Sequence, residues 1–204
     1  MLHNGLLRQI SLNPDVVLFD STTLRSSLYD KEARWGKSTR YGDYKGYKLH
    51  TVTTCKGIVL AYELTTVNVY DGAPVPYLFK KLCRYSIPFA LGDSIYDTQK
   101  VQWHAQKFIA PPNPRNHPTR KEAFPPVIEE VLKMNWGREL YKLRSEIERV
   151  FASLKEKKGW SSRVGMDTND IYFIVCVFLS IMRYVYANFA TPSWWILGNY
   201  SKKC

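Results

Sequence analysis

Cysteine, histidine and acidic residues are all sparse in this 204-residue chain. Its four cysteines, Cys55, Cys83, Cys176 and Cys204, form no CxxC pair and no Cys/His cluster at zinc-ligand spacing. That argues against a structural zinc and a disulfide framework, and fits a reducing cytoplasm. His3, His50, His104 and His117 are too scattered for a ligand set, and His50 is expected as a strand residue rather than a base. The N-terminus, Met1 to Leu7, lacks the basic region and long apolar core of a secretory leader. The apolar stretch from Ile171 to Met182 is cut off by Arg183, too short for a membrane span, and is expected as a buried core helix. No internal repeat and no low-complexity segment occurs.

Acids are outnumbered, 18 against 29 Lys and Arg, leaving a formal charge of +11. Such an excess selects polyanionic partners, of which nucleic acid is the commonest. With 45% hydrophobic residues the chain can bury a full core. A short lead over 1–14, one domain over 15–190 and a tail over 191–204 are expected.

Val16 to Asp20 is a β-branched run that predicts a central strand. A polar and basic segment follows, with Lys31, Arg34, Lys37, Arg40 and Lys45 among Trp35, Tyr41 and Tyr44. Tyr47–Thr54 and Ile58–Thr66 read as strands joined by the short connection Cys55-Lys56-Gly57, an antiparallel hairpin. Asp71-Gly72-Ala73-Pro74 marks a helix start, with Tyr77, Leu78 and Leu82 behind it. A fourth strand is expected over Ile87–Asp93, a short helix over Thr98–Gln106, and a fifth strand at Phe108-Ile109-Ala110. Pro111 to Pro126 reads as a loop, and long helices are expected over Trp136–Lys158 and Ile171–Phe189. Strands followed by alternating helices and strands indicate an α/β fold with a mixed sheet.

Three carboxylates stand out in that layout. Asp20 and Asp93 each end an apolar run, which would hold them rigidly at a sheet edge. Glu148 lies on the first long helix. Two strand-end aspartates and a helical glutamate make a hard, oxygen-only donor set of the kind magnesium or manganese accepts. In a basic chain this points to metal-dependent chemistry on a polyanion. With each helical residue advancing about 100°, Arg144, Glu148 and Lys155 fall at roughly −60°, −20° and −40° from Tyr141. These four form one stripe, while Leu140, Leu143, Ile147, Val150 and Leu154 form an arc that would pack on the sheet. Glu146 lies about 160° from Glu148, so only one can face the aspartates, and Glu148 is the better placed.

The spacing Tyr141-x2-Arg144-x3-Glu148-x6-Lys155 resembles the Tyr-Arg-Glu-Lys signature of bacterial insertion-sequence transposases with a DDE, RNase H-like catalytic domain. Ala33-Arg34-Trp35-Gly36 followed by Gly46-Tyr47-Lys48-Leu49-His50 is similar to that family's stretch after the first Asp. Asn68-Val69-Tyr70-Asp71 resembles its Asn-x-x-Asp turn, and Gly92-Asp93-Ser94-Ile95-Tyr96-Asp97 its second-Asp motif. Phe108 to Pro112 matches the strand and prolines that follow. Ser94 and Ile95 depart from the usual Lys and small residue. Relatives carry a helical DNA-binding region before the first Asp, whereas little chain precedes Asp20. A separate reading frame, a frameshift-fused product or a truncated copy is therefore expected, with a helix-turn-helix partner upstream.

The resemblance implies an RNase H-like mixed five-stranded sheet flanked by helices, strand cleavage at transposon ends, and strand transfer. Asp20, Asp93 and Glu148 would hold two divalent ions, Mg2+ or Mn2+, with Asp20 bridging. Arg144 and Lys155 would hold phosphates or orient Glu148, and Tyr141 would contact a flipped nucleotide. The segment Lys31 to Lys48, with Arg34, Lys45 and Lys48, and the Arg115–Arg120–Lys121 loop are expected phosphate-tracking surfaces. Expected partners are transposon-end and target DNA and a second copy in a synaptic complex, in a bacterial or archaeal cytoplasm at the nucleoid, with no membrane. An RNase H-like nuclease that does not join ends, and a non-catalytic DNA-binding remnant, are the alternatives.

Overall fold

The structure, a computed structural model, describes residues 14–38, 42–98, 101, 108–113 and 127–157. Its centre is β1 (Val16–Arg25), antiparallel to β3 (Gly42–Thr54) and parallel to β5 (Phe89–Leu91). β6 (Phe108–Ile109) extends the sheet in parallel beyond β5. On the far side of β3 lies β4 (Val59–Thr66), paired antiparallel from Tyr47↔Thr66 to Thr53↔Val59. β2 (Arg34–Ser38) continues that row end to end, since Gly46 of β3 faces Arg25 on one side and Arg34 on the other. The helical elements are α1 (Val75–Lys81), a 3-10 turn at Ser94–Tyr96, α2 (Val127–Lys133), α3 (Asn135–Lys142) and α4 (Ser145–Lys157).

The sheet is mixed and flanked by helices, as expected, with six strands where five were expected. The added strand is β2. Its residues Arg34, Trp35 and Lys37 are exposed, so its pairing rests on backbone hydrogen bonds and leaves no alternating apolar pattern to read. β1 likewise runs five residues past Asp20, because Thr22 and Leu24 are buried and keep pairing with Leu49 and Tyr47. The two strands come so close at Gly46 that a Cβ there would lie 2.1 Å from the Leu24 carbonyl oxygen.

Side chains alternate between the two faces of the sheet, with a period of two. Val17 and Phe19 point to the face covered by α1, where they join Val52, Leu78, Leu82 and Phe108. Phe19 is fully buried, stacked on Phe79 at 4.8 Å and edge-on to Phe108 at 5.3 Å between ring centroids. Tyr77 of α1 is exposed, unlike the other two apolar residues expected behind the helix start. Lys81, in the last turn of α1, donates to the Tyr62 carbonyl at 2.6 Å and to Glu63 at 2.6 Å. Leu18, Leu91 and Ile109 point the other way, against Ile147 and Phe151 of α4.

The helix expected over Trp136–Lys158 is two helices. Between them the amides of Leu143 and Arg144 bond to the carbonyls of Leu140 and Tyr141, three residues back, at 3.1 Å each. The Ser145 hydroxyl donates to the Lys142 carbonyl at 2.9 Å, a side-chain bond that competes with the regular ladder. No helix among the described residues is long and apolar enough to cross a membrane. The helix expected over Ile171–Phe189, the loop beyond Asn113, most of the Thr98–Gln106 helix, the tail and nearly all of the lead lie outside the described residues.

Candidate active site

The sheet register brings the two aspartates side by side. Leu18 of β1 is the partner of Leu91 on the adjacent parallel strand β5. Two residues further along, on the same face, come Asp20 and Asp93. Asp20 does not end its strand, as expected, but sits at its fifth position. β5 has stopped by then, so the carboxylate lies in the notch its shorter neighbour leaves. Its side chain keeps 17% of its surface exposed, and its Oδ1 accepts from the Ser21 amide at 2.8 Å.

Asp93 lies two residues beyond β5 and caps the 3-10 turn, accepting from the Ile95 amide at 2.9 Å. Gly92 lets the chain pass there. A Cβ would meet the Phe108 ring at 2.7 Å and the Tyr96 ring at 2.9 Å.

The third acid comes from α4. Ile147 and Phe151 seat that helix on Leu18 and Leu91, and Glu148 is Ile147's neighbour. Arg144, in the turn between α3 and α4, stands between acids, with Nη1 3.7 Å from Asp20 Oδ2 and Nη2 3.3 Å from Glu148 Oε1. Glu146 pairs instead with Arg149 at 3.0 Å. Tyr141 is half-buried on the same core, and burial raises its hydroxyl above the ordinary value, with Arg144 opposing. Lys155 falls within α4, and its side chain lies outside the described residues, as does all of Arg115.

Burial dominates the electrostatics. It raises the Asp20 carboxyl to about 7, with the Ser21 amide and Arg144 opposing and Asp93 and Glu148 adding to the rise. Asp93 is also raised, first by burial, against the Ile95 amide and Arg144, with Asp71 adding. Burial and neighbouring carboxylates both penalise the charged form, and a cation is what offsets them. Arg144 meets part of that need.

The donor set suits a hard divalent ion, being carboxylate oxygens alone. Among the described residues no three His, Cys, Asp or Glu side chains stand close enough to share one ion. Glu148 is the exposed member, with 61% of its side chain open at its contact with Arg144. Across β3 from Asp20, the buried Thr51 hydroxyl has no hydrogen-bond partner among the described residues. Asp20 and Asp93 fit such a group, and Glu148 would join them only by leaving Arg144.

One expected phosphate contact is engaged by the chain itself. Lys48 is directed inward: its ammonium donates to Asp71 at 3.0 Å and to the Val69 carbonyl at 2.9 Å, with 15% of its side chain exposed. Arg34 is exposed, and Lys45 donates to the Leu28 carbonyl at 2.8 Å at the surface. Beside them Tyr29 and Trp35 are also exposed.

Asp71 was visible in the sequence only as part of a turn motif, without a role at the site. It accepts from the Ser21 hydroxyl, pairs with Lys48, and lies 4.0 Å from His50 Nδ1. His50 is a buried strand residue, as expected, bonded through Nε2 to Thr65 at 2.9 Å and lowered by burial to about 4. Period-two parity sets Lys48 and His50 on one face of β3, and the register Ser21↔His50 adds Ser21 to it.

The fold is a mixed sheet with Asp20 on, and Asp93 just beyond, two neighbouring parallel strands and the Glu148 helix packed across the same face. The chain belongs to the transposase DDE domain family, whose model matches residues 11–178. Among solved structures it is similar to a Mos1 transposase paired-end complex with left transposon end, at 17% identity and a TM-score of 0.33 over 74% of this chain and 58% of that one. It is also similar to a Mos1 mariner paired-end complex with Mn, at 13% identity and a TM-score of 0.31 over 74% of this chain and 57% of that one. The chain thus spans less than two thirds of either transposase chain. No curated protein matches it.

Proposed function

We propose that this chain is the catalytic domain of a DNA transposase that cuts at insertion-sequence ends and transfers the cut strand, with Asp20, Asp93 and Glu148 as its metal-holding acids. The observation that carries this reading is the register Leu18↔Leu91, which sets Asp20 beside Asp93 under the helix that carries Glu148. Bound there, two divalent ions, Mg2+ or Mn2+, supply activation of a water or 3′-hydroxyl and stabilisation of the leaving oxygen. The chain's own residues do the rest. Asp20 must give up its proton before it can serve as a ligand, and Arg144 offsets its charge meanwhile. Glu148 exchanges Arg144 for the aspartate pair, which frees the guanidinium for a phosphate. Tyr141, packed on the same core, offers its ring to a nucleotide.

Arg34 and Lys45, with Arg115 and Lys155, carry the phosphate contacts of transposon-end and target DNA. A second copy in a synaptic complex, an upstream helix-turn-helix partner and a bacterial or archaeal cytoplasm at the nucleoid complete the reading. The test is product analysis with end-bearing duplex DNA and Mg2+ or Mn2+, using the chain joined to its upstream partner. Nicked ends and strand-transfer joints, both lost in Asp20→Asn and Asp93→Asn, are expected. Cleavage without joints would make it a nuclease, and neither product would make it a binding protein.

A further inference from the structure

We propose that the dipeptide Tyr70–Asp71 is a positioning element that sets the separation of Asp20 and Asp93 by gripping both acid-bearing segments from the α1 side of the sheet. The inference rests on the reading of those two acids as metal ligands. Asp71 accepts from the hydroxyl of Ser21, whose own amide holds Asp20 Oδ1 at 2.8 Å. Its neighbour Tyr70 donates its hydroxyl to the carbonyl of Ile95 at 2.6 Å. The amide of that same Ile95 holds Asp93 Oδ1 at 2.9 Å. Two adjacent residues thus each stand one residue-length from an acid's own hydrogen bond. The two held segments are the neighbourhood of Asp20 on β1 and the 3-10 turn that Asp93 caps.

The grip is itself mounted rigidly. Lys48 ties Asp71 to β3 at 3.0 Å and also binds the Val69 carbonyl at 2.9 Å, just before the dipeptide. His50, on the same face of β3, stands 4.0 Å from Asp71 and is fixed by Thr65. Partners that orient ligands from behind typically change metal affinity by about 10–100-fold when removed.

Tyr70→Phe and Asp71→Asn test this, with Lys48→Met/Asp71→Asn to separate positioning from charge balance. Two readouts are taken: amide hydrogen exchange at Ile95, and Mn2+ affinity from the electron spin resonance of free Mn2+. Tyr70 is half exposed, so Tyr70→Phe leaves the fold standing even if Asp71→Asn does not. Exchange at Ile95 should quicken at least about tenfold in Tyr70→Phe, while the Gly57 amide in the distant hairpin stays unchanged. Mn2+ affinity should fall by about 10–100-fold in each single variant and stay low in the double variant. Unchanged exchange and affinity in Tyr70→Phe would overturn the proposal. So would recovery of affinity in the double variant, which would leave Asp71 as a counter-ion for Lys48. Wild-type Mn2+ binding equal to that of Asp20→Asn would instead overturn the metal reading, and Ile95 exchange would still decide whether the grip exists.

Discussion

Asp20 is held where its charge is least welcome, and stability should record it. Its folded pKa of about 7 lies above the unfolded value of 3.8. Between those values the folded state binds the extra proton, so the contribution of Asp20 to stability is greatest below about 4 and is lost as pH rises through about 7. Asp20→Asn removes the penalty. Its melting temperature should exceed wild type at pH 8 by at least about 2–4 °C, and the gap should close near pH 4. In that variant stability should rise between about 4 and 6.5, because His50, lowered to about 4, favours the folded state only while neutral; in wild type Asp20 opposes that rise. A melting series across pH for both proteins checks the two signs. The glutamates separate in the same way. Glu148→Gln should cut metal-dependent cleavage by orders of magnitude while Glu146→Gln leaves it nearly intact, measured on one end-bearing substrate. Neither should shift stability by more than about 0.5 kcal/mol, since both pairs are surface pairs.

Among the elements, β1 and β3 act as one unit, and Gly46 is where they approach most closely. Gly46→Ala should destabilise by about 1–3 kcal/mol or more, because its Cβ meets backbone, which cannot move aside as a side chain can. Urea unfolding gives the value; a change below about 0.5 kcal/mol would mean that β1 shifts freely. How far the chain's plan was legible follows from the same packing. Buried elements announce themselves: Val16 to Phe19, Tyr47 to Thr54 and Phe108–Ile109 stand where their apolar patterns put them. β2 was hidden because an exposed strand needs no apolar face. The break before α4 was hidden because Ser145 acts on a carbonyl, which no side-chain period records. Glu148 was preferred over Glu146 by wheel geometry that assumed one unbroken helix. The preference agrees with the ion pairs, since the break lies before both residues and leaves their mutual angle intact. Asp71's contacts join residues far apart in the chain, and only strand register shows them.

For the molecule as a whole, the charge of +11 sets how it meets DNA. Binding should be largely electrostatic, with affinity falling steeply as salt rises, by a log–log slope of about −0.9 for each phosphate neutralised. Arg34→Ala and Lys45→Ala should each weaken end-bearing and random duplexes alike and reduce that slope by about one. Lys48→Met should leave the slope unchanged, because its ammonium is engaged by Asp71 rather than by solvent. Fluorescence anisotropy across a salt series checks all three. A steep end preference with a flat salt response would contradict the electrostatic account.

Lys81 bears on how copies of the chain avoid one another. β4 pairs only with β3 among the described strands, so it forms a rim of the sheet, and a bare rim is a template for cross-β aggregation. The ammonium of Lys81 occupies the carbonyl of Tyr62 on that rim and sits over the Tyr62 and Tyr77 rings at 5.6 and 5.7 Å. One side chain thereby blocks an acceptor, sets a positive charge in the path of an incoming strand, and covers the aromatic surface that would otherwise attract it. The cation that fastens α1 to the sheet also acts as a gatekeeper of solubility, leaving association between copies to surfaces other than the strand rim.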